Sequence, residues 1–250
     1  MKAIVLAAGI GQRLQPLTNR LPKCLLEVGG KPLVDYYFTA FGKSGIDEVV
    51  YIVGHEAELI KKRLGNLYLG VKVRYIQNPI YKSSGSAYSV SLAKNEFTKD
   101  PFIISDGDML FPPELLKRII EAEHDNIMMV ENDPTKFSEE PVWVLAEKGI
   151  VTHATKKLTD KSKLIGECIG LFKFGGKAPE ALINGLQNHI NIHGVTAQYD
   201  DAYNDVYPHL QVHSILTQGL PWAEIDREGD LEKARKETYK KIMAMEAKTN

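Results

Sequence analysis

Short apolar runs alternate with amphipathic stretches through the first half of the chain: AIVLAA, then PLVDYYFTAFGKSG, EVVYIVG, EAELIKKRLG, VKVRYIQN, GSAYSVSLAKNEF, PFIIS and PPELLKRIIEAE. Strand and helix signals in strict alternation predict a mainly parallel sheet with crossover helices on its faces. Pro32 fits the first turn of a helix, as does the pair Pro112 and Pro113. The pattern then changes. IMMVEND, PVWVLAEKGIVTHATKK and ECIGLFKF are short strand-like runs without a long helix between them, and the second reads as a hairpin turning near Lys148 and Gly149. They predict an antiparallel extension of the same sheet. A helix from about Pro179, the acidic-aromatic stretch YDDAYNDVYPHL, a strand-like PWAEID and a charged helix from about Glu228 complete the chain.

Composition narrows the function classes. With 250 residues and 44% hydrophobic content the chain can bury a continuous core. A formal net charge of -1 gives no global pull toward nucleic acid or an anionic membrane, so any anion site is local. Two cysteines, Cys24 and Cys168, make no disulfide framework and no Cys/His spacing resembles a zinc site, which favours a reducing, cytoplasmic setting. The N-terminal apolar run is too short for a signal segment and no stretch spans a bilayer, so membrane insertion is not expected.

The chemistry begins where the first apolar run ends in Gly9 and Gly11, so that a buried strand empties into a loop whose backbone a ligand can approach closely. Gly9-Ile10-Gly11-Gln12-Arg13-Leu14 puts leucine where a dinucleotide fingerprint needs its third glycine, and no P-loop signature exists. What remains is a glycine turn carrying Arg13, with Lys23 on the same long loop, a combination suited to a polyphosphate. Its bland alternative is an ordinary strand-to-helix turn with two solvated cations. A second constellation, FIISDGDMLF, ends an apolar strand in Asp106-Gly107-Asp108. Carboxylates at the C-terminal edge of a parallel strand face the ligand crevice of α/β folds, and magnesium held there would bridge phosphate oxygens. The same triplet is also a common turn.

LAAGIGQRLQPLT followed by LPKCLLEVGGKPLV closely resembles the nucleotidyltransferase signature LAAGxGxRLxPLTxxxPKxLxxVxGKP of sugar-1-phosphate nucleotidyltransferases and small-alcohol-phosphate cytidylyltransferases. The resemblance implies a single Rossmann-like α/β domain over residues 1–250, with a mostly parallel mixed sheet flanked by helices and an antiparallel extension. Residues 1–125 would form the nucleotide-binding half and 126–250 the acceptor-binding half. It implies that the backbone of Leu6, Ala7, Ala8, Gly9 and Gly11 contacts base and phosphates. Arg13 would hold the leaving pyrophosphate, and Lys23 would bridge the reacting phosphates of nucleotide and acceptor. The family's strand-terminal GD motif lands its magnesium ligand on Asp108, with Asp106 as a secondary candidate. A second metal carboxylate, from a strand before the last helix, lands on Asp226, whose alternative role is a helix N-cap.

The family reads its base from a strand and a glycine turn, which here are Gln77, Gly85 and Ser86. AYSVSLAK looks more like the YSLxLAK of cytidylyltransferases, so CTP is the expected nucleotide; a plain helix N-terminus capped by Ser84 or Ser86 is the alternative. GECIGLFKF resembles the acceptor-contacting strand of relatives, making Glu167 a candidate. Tyr199, Tyr203 and Tyr207 recur every four residues, with Asp200, Asp201 and Asp205 between them. Tyr199, Asp201 and Asp205 suit a cationic head group on the acceptor. An amphipathic helix with its tyrosines packed on the sheet fits the same spacing. The two tryptophans, Trp143 and Trp222, read as core anchors, and none of the seven histidines is assigned chemistry.

The expected activity is therefore magnesium-dependent transfer of CMP from CTP to a phosphorylated small molecule. The alternatives are a sugar-1-phosphate uridylyl-, thymidylyl- or guanylyltransferase, a non-catalytic nucleotide-sensing subunit, and a dinucleotide-dependent oxidoreductase that the missing third glycine disfavours. Nucleic acid is not an expected partner. Dimers are common in the family, although nothing in the chain identifies an interface.

Overall fold

The computed structural model describes residues 1–249. Its strands are β1 (Lys2–Ala7), β2 (Glu27–Val28), β3 (Lys31–Pro32), β4 (Glu48–Val53), β5 (Leu67–Tyr68), β6 (Val71–Gln77), β7 (Phe102–Asp106), β8 (Met109–Leu110), β9 (Ile127–Glu131), β10 (Trp143–Glu147), β11 (Ile150–Thr155), β12 (Leu164–Phe174), β13 (His213–Leu216) and β14 (Ala223–Glu224). The helices are α1 (Leu33–Lys43), α2 (Ala57–Leu64), α3 (Ser86–Leu92), α4 (Pro113–Glu121), α5 (Ala178–His193), α6 (Tyr199–Ala202), α7 (Glu228–Lys233) and α8 (Tyr239–Thr249), the last two joined through a π-helical stretch at Ala234–Thr238. None is long and apolar enough to cross a membrane among the described residues.

The parallel part of the sheet is β6-β4-β1-β7, with α1 and α2 as the crossovers that lead from β1 to β4 and from β4 to β6. The order of these strands changes direction between β1 and β7, so their C-terminal ends form the crevice where open α/β sheets take ligands. Beyond β7 the sheet turns antiparallel through β12, which also pairs with β9 and β10. The antiparallel part is larger than a hairpin appended to an edge. The eleven residues of β12 are long enough to serve three neighbours, and β9, β13, β11 and β10 complete a ring of pairings with it.

Strand parity divides the core. Ala3, Val5, Val49, Tyr51 and Ile103 face α1, α2 and α4, whereas Ile4, Val50, Ile52, Phe102 and Ile104 face α3, α5 and α6. A strand covered on both faces reads as an unbroken apolar run, which is what AIVLAA is. Each fully buried large side chain here, such as Phe38 or Phe172, contributes about 1.5–3 kcal/mol relative to exposure. A third cluster joins Leu14, Leu26 and Val28 of the glycine-loop region to Ile225, Leu231 and Ile242 of the C-terminal segment. It brings residues near the end of the chain against the N-terminal motif.

One local expectation shifts by a residue and another holds. Pro32 lies just before α1 in an extended conformation, whereas Pro113 does occupy the first turn of α4. The hairpin turns at Lys148 and Gly149, both with positive φ, which sets β10 against β11 in the twist that hairpins prefer.

Candidate active site

The glycine loop is built to approach something. Gly11 is left-handed at φ 66°, and a Cβ there would meet the Thr18 and Lys23 side chains at 2.9 and 3.0 Å. Thr18 Oγ1 donates to the Gly11 carbonyl at 2.7 Å. His55 pins the same turn, with Nε2 2.7 Å from the Thr18 carbonyl oxygen and its backbone N–H on Ala8. Opposite, Gly107 passes so close to β1 that a Cβ would lie 2.6 Å from the Leu6 carbonyl oxygen. Tyr37 of α1 braces the acidic turn, donating to the Asp106 carbonyl while accepting from the Met109 N–H at 2.9 Å.

Between these turns lies a cavity of about 260 Å³. Leu6, Ala7, Ala8, Gly9, Gly11, Lys23, Gly85, Ser86, Asp106 and Asp108 all line it. Gln77 does not, because its side chain points to solvent; the following residue, buried Asn78, takes the lining position. Asn78 donates to Ser84 and Ser89 at 3.0 Å and accepts from the Ile80 N–H, so it fixes the turn that opens α3. No serine caps α3. Ser86 instead donates to Gln198 and accepts from the Tyr199 N–H, both at 2.9 Å, tying α3 to α6.

At one end of the cavity, segments distant in the sequence meet. Lys23 Nζ donates to Asp108 Oδ2 at 2.9 Å and to Asp226 Oδ1, and Arg13 reaches Asp226 Oδ2 at 2.5 Å and Glu140 Oε2 at 2.6 Å. Burial disfavours the Lys23 charge, but the fields of Asp108 and Asp226 overcome it and hold its pKa above the ordinary lysine range. Asp226 is the mirror case: burial opposes its charge, yet Lys23 and then Arg13 keep it below the usual carboxylate range. It is not spent as a helix cap. Asp230 performs that role, accepting from the Asp226 and Arg227 N–H groups at 3.1 and 2.8 Å.

Glu224 completes the cluster. One oxygen each of Asp108, Glu224 and Asp226 lies within 4.8 Å of the others, and Oδ1 of Asp108 is buried without a hydrogen-bond partner. Burial, followed by the charges of Asp108 and Asp226, pushes the Glu224 pKa up; Asp106 is raised by burial and by Asp108, with the Tyr199 hydroxyl opposing. Close carboxylates outnumbering the cations beside them, one with an oxygen unpaired, are a donor set that fits a hard divalent ion. Glu224 was detectable in WAEID, read as a strand in the sequence, two positions before Asp226, although β14 itself ends at Glu224.

The remaining predicted residues separate. Tyr199 does reach the site, donating to Asp106 Oδ2 at 2.6 Å. Asp201 is exposed on the outer side of α6, and Asp205 faces α5, where it accepts from Asn188 and contacts His189 at 3.3 Å. Asp200 is half-buried and lines neither this cavity nor the larger one beside it; desolvation lifts its pKa to about 6 against the pull of Lys156. Tyr203 and Tyr207 belong to the core, as the packing alternative had it, although their buried hydroxyls lack partners. Glu167 lines neither this cavity nor the larger one beside it; it is buried and accepts from both the N–H and the hydroxyl of Ser138, anchoring that loop. Trp222 is an anchor, its Nε1 donating to buried Glu131 at 2.9 Å.

The model of the family described as Nucleotidyl transferase matches residues 2–140. The chain belongs to that family. Among curated relatives in the family, it is 36% identical over 122 residues, 49% of its length, to CMP-5'-(3-aminopropyl)phosphonate synthase of Streptomyces rubellomurinus, covering 19% of that protein. It is also 36% identical over 111 residues, 44% of its length, to choline-phosphate cytidylyltransferase of Streptococcus pneumoniae, covering 46% of it. These matches span less than half of either relative's length. The solved inositol-1-phosphate CTP transferase from T. maritima aligns over 96% of the chain and 95% of its own, with a TM-score of 0.80 and 25% identity. Family members named as cytidylyltransferases are thus among the relatives, as the YSLxLAK-like stretch implied.

Proposed function

We propose that this protein transfers CMP from CTP to a phosphorylated small molecule and releases pyrophosphate, in a magnesium-dependent reaction of the EC 2.7.7 type. The observation that carries the reading is Lys23, held between Asp108 and Asp226 at the edge of a cavity walled by the glycine loop and the acidic turn. In the reaction an acceptor phosphate oxygen bonds to the α-phosphorus as the bond to the bridging oxygen of pyrophosphate breaks. A phosphate monoester is largely dianionic at neutral pH, so no general base is needed. Lys23 aligns the two phosphates and offsets their repulsion, and Arg13 takes the charge growing on the leaving pyrophosphate. Asp108, Glu224 and Asp226 would hold magnesium, which when bound neutralises phosphate charge.

Residues 1–125 supply most of the nucleotide cavity in this reading, and the acceptor lies against the second half. Tyr199, whose hydroxyl meets Asp106 at the cavity, is the residue of YDDAYNDVYPHL that supports an acceptor bound there. The names of a choline-phosphate cytidylyltransferase and an inositol-1-phosphate CTP transferase among the relatives support CTP, beside others named as sugar-phosphate uridylyl- and guanylyltransferases. Buried, unpaired Cys24 and Cys168 suit a reducing cytoplasm. The test is a pyrophosphate-release screen crossing four nucleoside triphosphates with phosphocholine, phosphoethanolamine, aminoethylphosphonate, inositol phosphate, glycerol phosphate and hexose 1-phosphates. Release with CTP and one alcohol phosphate supports the reading; release only with a hexose 1-phosphate and another triphosphate replaces it.

A further inference from the structure

Arg13 already has carboxylate partners. Its Nη2 is held by Asp226, a member of the acidic cluster, but its Nη1 is held by Glu140, which comes from the loop between β9 and β10. Glu140 divides its two oxygens between cations: Oε2 lies 2.6 Å from Arg13, and Oε1 lies 2.5 Å from Arg227. The neighbouring Glu139 contacts Arg227 at 3.2 Å. The same loop is tied down by Ser138 on Glu167 and by Phe137, edge-on to Trp143 at 5.1 Å. It walls a cavity of about 750 Å³ whose other sides include Trp222, Glu224, Asp226 and Arg227.

We propose that Glu140 is a positioning residue that stands in for pyrophosphate on Arg13. The proposal rests on Arg13 being the pyrophosphate cation. Carboxylate and phosphate oxygens satisfy a guanidinium in the same way, by charge-assisted hydrogen bonds from its N–H groups. A phosphate that takes the Nη1 side of Arg13 displaces Glu140, which lowers apparent affinity by the fraction of time the pair is closed. The side chains of Arg13 and Glu140 are 42% and 50% exposed, so the pair is weak enough to exchange. Entry of the nucleotide frees Glu140 and loosens the loop that walls the larger cavity. Return of Glu140 to Arg13 helps expel the product.

The experiment is titration of inorganic pyrophosphate into the full chain by calorimetry, for wild type, E140Q and E139Q. E140Q is expected to bind pyrophosphate about two- to fivefold more tightly, the range open to a half-exposed ion pair. Steady-state kinetics should show the same factor in product inhibition, with a lower KM for the nucleotide. E139Q removes the same charge from the same loop without touching Arg13, so it should stay close to wild type. A merely structural role for Glu140 would weaken binding. Equal or weaker binding by E140Q, or equal tightening by E139Q, overturns the proposal while leaving the function intact. A wild type that binds neither pyrophosphate nor any nucleoside triphosphate overturns both.

Discussion

Lys23 and Asp108 lie 85 residues apart in the chain and 2.9 Å apart in the fold. The contact joins the long loop after β1 to the turn after β7, the two adjacent parallel strands whose ends define the crevice. Asp226, arriving from the C-terminal segment, closes on the same ammonium. Replacing Lys23 by alanine is expected to lower turnover roughly 100-fold or more, as loss of a preorganised donor to a developing oxyanion does. Steady-state kinetics check this. A rise in KM with turnover unchanged would mean that Lys23 binds substrate without acting on the reacting phosphates.

Metal removal gives a separate test. Chelation by EDTA is expected to abolish turnover, with excess magnesium restoring it, because Asp108, Glu224 and Asp226 otherwise repel the incoming phosphates as well as one another. Activity that persists after exhaustive dialysis against chelator would remove magnesium from the account.

Gly85 is predicted to be intolerant of a single methyl group. A Cβ there would lie 2.1 Å from the Ala197 carbonyl oxygen and 2.3 Å from that of Thr196, so the 196–197 backbone has to move. That backbone leads into Gln198 and Tyr199, both bonded to Ser86. Thermal denaturation of G85A should show a loss of about 1–3 kcal/mol, with a raised nucleotide KM. A variant equal to wild type in both would show that the close approach carries no weight.

Asp200 predicts a pH signature. Its carboxyl titrates near 6 in the fold, against 3.8 for an ordinary aspartate, so the folded state binds the extra proton between those values and stability falls as pH rises through them. D200N removes the half-buried charge. The variant is expected to be more stable than wild type above pH 6, by roughly 1–3 kcal/mol, and indistinguishable from it below about pH 3.8. Denaturant melts at pH 4 and pH 8 check this, and a difference that does not grow with pH would contradict the burial. If Asp200 meets the acceptor, the same variant is slower in turnover, a trade of function for stability.

Much of this site was legible because its chemistry sits on short local patterns. The glycine loop with Arg13 and Lys23 and the strand-terminal Asp108 each carry their own signal, whereas Asp226 was placed by the family resemblance, and strand-helix alternation predicted the sheet whose crevice gathers them. Residues chosen by tertiary facing were harder. Gln77 and Asn78 differ by one position at a strand end, and only the path of the chain decides which turns inward. Glu167 was engaged by Ser138 from a loop with no pattern of its own. In YDDAYNDVYPHL the four-residue spacing did keep Tyr199, Tyr203 and Tyr207 buried together, whereas Asp200 and Asp201, adjacent on the single turn of α6, point apart and Asp205 turns toward α5.

The central claim, nucleotidyl transfer, is tested most directly by following CTP labelled at its α-phosphorus in the presence of the acceptor that the screen identifies. The label should move into a CDP-linked product in step with an equal amount of unlabelled pyrophosphate. Label appearing only as free CMP or CDP would contradict it.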